Sequence, residues 1–212
     1  MKYKAIIFDL DGVICHTDHY HYQAWKHIAD KLGVYFDEVI NNRLRGISRM
    51  ESFEIILEGY DGIISDGEKM RYVAEKNEIY KKLLLDMSPK DLSDEVKETL
   101  EKLKNQGFRL AIGSSSRNAG TILRQIGLAR FFDAVSDGNN ISKSKPDPEV
   151  FLQASHSLNV PPEDCLVVED ARAGVEAAAA AGMDCAGIGD AAKSDLSIYK
   201  LNTFSDLLRV VQ

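Results

Sequence analysis

The sequence predicts an α/β protein: a Rossmann-like doubly wound parallel sheet with a helical cap domain inserted after its first strand. Brief β-branched runs that do not alternate, such as Ala5 Ile6 Ile7 Phe8, fit strands buried on both faces of a parallel sheet. From Pro89 onward such runs alternate with segments of helical period, and repeated strand-helix units imply a parallel sheet with helices on both faces. Between the first run and the others the period is helical throughout. The expected boundaries are residues 1–15 and 88–212 for the core and 16–87 for the insertion.

The opening strand, Lys4 to Phe8, stops at Asp9 and Asp11, and Gly12 permits the tight turn that brings both carboxylates to one pocket. Tyr20, Ala24, Ile28 and Leu32 then recur every four residues, with Trp25 and Ala29 beside them. Thr17 or Asp18 is the expected cap and Gly33 the stop. Ser48 with Glu51 and Ser65 with Glu68 read as capping boxes, followed by the apolar sets Phe53, Ile56, Leu57 and Met70, Val73, Ala74, Leu84. Ser88 ends the insertion, because the residue before a proline is pushed out of the α region.

In the second half Val96, Leu100 and Leu103 mark a helix closed by Gly107, and Phe108 to Gly113 a strand. Arg117 to Ile126 is a helix closed by Gly127, and Asp133 to Ser136 a strand. Asp147 caps the next helix with Pro148 at its first position, ahead of Phe151, Ala154 and Leu158. Leu166 to Val168 is a strand, Ala171 to Ala181 a helix closed by Gly182, and Cys185 to Ile188 a strand.

The 212 residues can bury a sizeable core, and 44% hydrophobic with 28% charged residues is ordinary for a globular chain. A net charge of −7 without a lysine or arginine cluster argues against nucleic acid as partner. Cys15, Cys165 and Cys185 are odd in number, far apart and set in apolar surroundings, which fits reduced core residues. The first apolar run breaks at Asp9, too soon for a signal peptide, and no stretch approaches the roughly 20 apolar residues of a membrane helix. A monomer acting in the cytoplasm is the expectation.

The strand ends carry the chemistry. On the edge where Asp9 and Asp11 emerge, the second strand delivers Ser114, Ser115, Ser116 and Arg117, the third leads to Lys145, and the fourth delivers Glu169 and Asp170. Together they suggest phosphoryl transfer through a covalent carboxylate. Asp9 attacks phosphorus, Mg2+ on Asp9 and Asp170 offsets the repulsion between anions, and Ser114 and Lys145 hold phosphoryl oxygens. Asp11 serves as general acid and base. Asp11 and Glu169 complete the candidate metal set.

Asp9 to Val13 as Asp-x-Asp-Gly-Val, a strand-end serine, Lys145 Pro146 and Glu169 Asp170, in this order, resemble the haloacid dehalogenase superfamily over nearly the whole chain. Within it, His21 with Trp25, the run Leu44 Arg45 Gly46 Ile47 Ser48 Arg49, Lys76 Asn77, and Ser114 Ser115 Ser116 Arg117 Asn118 resemble the β-phosphoglucomutase family. The resemblance implies interconversion of β-D-glucose 1-phosphate and glucose 6-phosphate, with glucose 1,6-bisphosphate as intermediate and activating donor. It implies that these residues contact the phosphosugar, that Arg49 meets its distal phosphate near Ser116, Arg117 and Asn118, and that His21 couples cap closure to Asp11. Arginine suits that task, since it can grip phosphate bidentately. Two departures stand out. His16 replaces an acidic hinge residue, and Arg117 replaces a lysine. A sugar-phosphate phosphatase on the same scaffold is the competing expectation, and a non-catalytic sugar-phosphate binder a more distant one.

Overall fold

A computed structural model describes residues 2–212, so Met1, with which the expected core begins, lies outside the described residues. One sheet of six strands, β1 (Ala5–Phe8), β2 (Arg109–Gly113), β3 (Ala134–Ser136), β4 (Cys165–Glu169), β5 (Asp184–Ile188) and β6 (Tyr199–Leu201), runs parallel throughout in the order β3-β2-β1-β4-β5-β6. Alternation along β1 sorts its side chains to the two faces. Ile6 and Phe8 meet Leu100, Leu103, Ile122 and Leu207, carried by α5 (Asp94–Asn105), α6 (Ala119–Gln125) and α9 (Leu207–Val210). Ala5 and Ile7 meet Val150, Phe151, Ala154 and Val175, carried by α7 (Glu149–Leu158) and α8 (Arg172–Ala180). The sheet is therefore doubly wound. The chain builds outward from β1 to β3, crosses back to β4 on the other side of β1, and leaves a switch point between β1 and β4.

Between β1 and α5 stand α1 (Asp18–Leu32), α2 (Glu38–Asn42), α3 (Arg49–Leu57) and α4 (Asp66–Leu83). They gather a separate apolar cluster of Trp25, Ile28, Ala29, Phe36, Phe53 and Ile56. Both expected capping boxes form, Ser48 with Glu51 at α3 and Ser65 with Glu68 at α4.

Local expectation and structure part at three places. The Thr17 side chain does not cap α1; its hydroxyl donates to the Asp11 carboxylate instead, a tertiary acceptor winning over the local amide. Helix α7 starts after Pro148, at Glu149, although the Asp147 carboxylate still accepts from the Glu149 amide at 3.0 Å. The edge strand β6 was not expected; three residues, Tyr199 Lys200 Leu201, are too few to show a period. All three cysteines are buried and unpaired, as expected. Among the described residues no helix is long and apolar enough to cross a membrane.

Candidate active site

Strands β1 and β4 are paired in register, Phe8 against Val168, so their next residues emerge side by side at the switch point. Carboxylate oxygens of Asp9, Glu169 and Asp170 lie within 4.8 Å of one another. The backbone makes room for them. Gly12 sits at φ +89°, and a Cβ there would overlap the Asp170 carboxylate, while a Cβ on Gly174 would overlap that of Glu169.

Lys145, fully buried, donates to Asp9 and, at 2.6 Å, to Glu169 Oε1. Burial works against its charge, but the Asp9 and Glu169 carboxylates outweigh that and hold the ammonium charged. The other oxygen of Glu169 accepts from the Asp170 and Ala171 amides at 2.8 and 2.9 Å. Glu169 is thus engaged on both oxygens by its own chain. Its geometry serves to seat Lys145 and the backbone of Asp170.

Three carboxylates against one ammonium leave excess negative charge in a dry place. Burial, and after it the neighbouring carboxylates against the pull of Lys145, keep Asp9 well above the usual carboxylate range. Burial and Glu169 push Asp170 up to about 8. Such a site fits a divalent cation, which offsets exactly this kind of crowding with oxygen ligands, and Asp9 and Asp170 are the carboxylates with oxygens to offer. The Asp11 carboxylate lies outside this group. It accepts from Thr17, and burial, opposed by that hydrogen bond, pushes it up to about 6. Ser114, also buried, accepts from the Ser116 amide at 3.1 Å and keeps its own proton to donate.

A cavity of about 480 Å³ lies between this edge and the helices, and every candidate residue except Lys145 and Asn77 lines it. From the helical side, Lys76 is almost wholly buried, with Nζ 2.8 Å from His21 Nδ1 and 4.9 Å from the Trp25 ring centre. Burial and the charge of Arg49 bring Lys76 down to about 7, and burial with the charges of Lys76 and Arg49 holds His21 well below its ordinary value. His21 is thus joined to Lys76, whereas Asp11 takes its hydrogen bond from Thr17. Trp25 stacks on Phe53 at 6.0 Å and is a packing residue that also walls the cavity. Leu44 is buried, a Cβ on Gly46 would stand 3.5 Å from the Cβ atoms of Ala171 and Ala173 across the cleft, and the Gly46 carbonyl lies 3.5 Å from the Ser115 hydroxyl. Ile47 and Ser48 continue the wall. Asn118 donates to Asn77 at 3.0 Å, a second tie between the two sides.

Arg49 is half-buried, and its guanidinium is disfavoured first by burial and then by Arg117. Neither arginine forms an ion pair among the described residues. Arg45 differs: its guanidinium is bound to Asp18 and reaches to 3.8 Å from Asp170. The sequence reading missed Tyr80, whose ring lies 4.1 Å from that of His21 in the cavity wall, and the buried Asn41 and Ser52. Only their helical spacing marks them, and that spacing equally fits plain packing.

Acidic side chains gathered at the switch point of a parallel sheet, beneath an inserted set of helices, define the class: an α/β enzyme of the doubly wound type. Residues 3–182 match the haloacid dehalogenase-like hydrolase family, to which the chain belongs. It is 44% identical over 188 residues to a beta-phosphoglucomutase of Bacillus subtilis, spanning 88% of this chain and 83% of that protein. It is 33% identical over 184 residues to a phosphorylated carbohydrates phosphatase of Thermotoga maritima, spanning 85% and 82%. A crystal structure of beta-phosphoglucomutase from Clostridium difficile superposes with a TM-score of 0.92 at 35% identity, covering 99% of this chain and 96% of that one.

Proposed function

We propose that the chain is a Mg2+-dependent phosphoglucomutase that interconverts β-D-glucose 1-phosphate and glucose 6-phosphate through glucose 1,6-bisphosphate. The observation that carries the reading is the arginine pair. Arg49 and Arg117 share one cavity with the Asp9 cluster, repel each other and have no acidic partner among the described residues. Unpaired guanidinium groups crowded beside a cavity are a place for an anion. One cavity then offers two phosphate stations, which a bisphosphate intermediate requires and simple hydrolysis does not. Similarity to a beta-phosphoglucomutase supports the same reading.

In this mechanism an Asp9 carboxylate oxygen attacks the phosphorus of the donor, forming the Asp9 acyl phosphate as the bond between phosphorus and the sugar oxygen breaks. Asp11 gives its proton to that leaving oxygen. In the second half, Asp11 takes the proton from the attacking sugar hydroxyl as the phosphoryl group leaves Asp9. A carboxyl pushed up to about 6 suits both tasks near neutral pH. Lys145, held against Asp9, and the Ser114 hydroxyl steady the phosphoryl oxygens. Asp9 and Asp170 would hold Mg2+, which when bound would supply positive charge against the transferring group. Water exclusion falls to the helical block of residues 16–87, acting as a cap over the sheet edge.

The phosphatase alternative uses the same Asp9 step with water as final acceptor, and similarity to a sugar phosphatase keeps it in view. Turnover of β-glucose 1-phosphate, measured with Mg2+ and with or without the priming bisphosphate, tests the proposal. Primer-dependent formation of glucose 6-phosphate is the expected result. Glucose 6-phosphate absent at every primer concentration overturns it.

A further inference from the structure

We propose that Arg45 is a counter-charge to Asp170 that sets how tightly the Asp9 and Asp170 site holds its divalent cation. The inference rests on the cation reading above and extends it to a residue on the other side of the cleft. Arg45 lies in the loop between α2 and α3, whose next residue, Gly46, has its carbonyl 3.5 Å from the Ser115 hydroxyl of the core. Its guanidinium is oriented by Asp18 in the first turn of α1 and stands 3.8 Å from Asp170 Oδ2, while its Nε is buried without a hydrogen-bond partner. One fork of the side chain is thus fixed on a carboxylate of its own helical block, and the other faces a carboxylate of the core.

The physical consequence follows from sign and distance. A fixed positive charge this close to Asp170 competes with any cation for the same carboxylate, in surroundings drier than bulk water. Asp18 tempers the competition by neutralising part of Arg45. By reciprocity, a bound cation weakens the hold of the Arg45 loop on the core by the factor that the loop weakens the cation. Arg45 is therefore a positioning residue between cation and cap.

Calorimetric titration with Mg2+ alone tests this without any turnover. Arg45→Met removes the competitor and leaves Asp18 free, so Mg2+ binds tighter by at least about 3-fold, the size expected of one screened charge at this range. Arg45→Lys keeps the charge and stays near the wild-type affinity. Asp18→Asn releases the full charge of Arg45 onto Asp170 and weakens binding. A folding defect would weaken both Arg45→Met and Asp18→Asn, so opposite signs cannot come from misfolding. Unchanged or weaker binding in Arg45→Met overturns the proposal. Asp170→Asn is the control for the underlying reading: if it binds Mg2+ as the wild type does, the cation assignment itself fails, whereas loss there with no response in Arg45→Met removes only the role of Arg45.

Discussion

The Nζ of Lys76 lies 2.8 Å from Nδ1 of His21, so two bases share one hydrogen bond in the cavity wall. While Lys76 carries its proton, neutral His21 accepts at Nδ1 and Lys76 donates; once Lys76 is neutral, the direction follows the His21 tautomer. Burial and Arg49 have brought Lys76 to about 7, against 10.5 for a free side chain. Between those values the unfolded chain binds more protons than the folded one, so this lysine makes stability rise with pH, by at most about 1.4 kcal/mol per unit. Denaturant unfolding from pH 7 to 10 should show that rise in the wild type and a flatter profile in Lys76→Met. A phosphate entering the cavity restores the ammonium, so binding near pH 8 should be accompanied by proton uptake that Lys76→Met lacks.

Asp9→Asn separates chemistry from stability. The amide cannot form the acyl phosphate, and turnover should vanish. Because burial and three neighbouring carboxylates work against a charged Asp9, the variant should unfold no more easily than the wild type in the absence of Mg2+, and by up to about 1 kcal/mol less easily. Thermal melts and activity on the same preparation give both numbers.

Lys145→Met leaves Asp9 and Glu169 buried against each other with no cation between them. Removing one partner of a buried charge cluster costs about 3–5 kcal/mol. Adding Glu169→Gln should recover part of the loss, and a double-mutant cycle in urea measures how much. Additivity within experimental error would show that Lys145 and Glu169 do not depend on each other.

Arg49→Ala should damage use of the sugar phosphate far more than phosphorylation of Asp9. With a small donor such as acetyl phosphate, labelling of Asp9 should stay within a few-fold of wild type, while kcat/KM for β-glucose 1-phosphate falls about 10- to 100-fold, the loss of a charged hydrogen bond. Equal loss with both donors would place Arg49 at the reacting phosphate instead.

What could be read from the chain beforehand was whatever is local in sequence. Asp9, Ser114 and Glu169 announce themselves because each directly follows or ends a short apolar strand, and parallel pairing does the rest. Lys145 was legible from its neighbour Pro146 and its order in the chain. Lys76 was marked only by the family resemblance, since nothing else in a helix of lysines and glutamates reveals that this one lysine turns inward to a histidine 55 residues away. Gly174 gave no signal either. Inside an alanine-rich helix it looks like one more small residue, yet a Cβ there would displace the Glu169 carboxylate and with it Lys145. Thr17 misled for the opposite reason: its local role as a cap was clear, and the Asp11 carboxylate drew its hydroxyl away.

Phosphorus NMR reads the central claim most directly. The protein is mixed with Mg2+, β-glucose 1-phosphate and a trace of the 1,6-bisphosphate, and every phosphorus species is followed in time. The account predicts that glucose 6-phosphate grows as β-glucose 1-phosphate falls, with the bisphosphate level steady and inorganic phosphate flat. Inorganic phosphate growing in step with substrate loss would contradict it, leaving Asp9 as the phosphorylated residue but water as its acceptor.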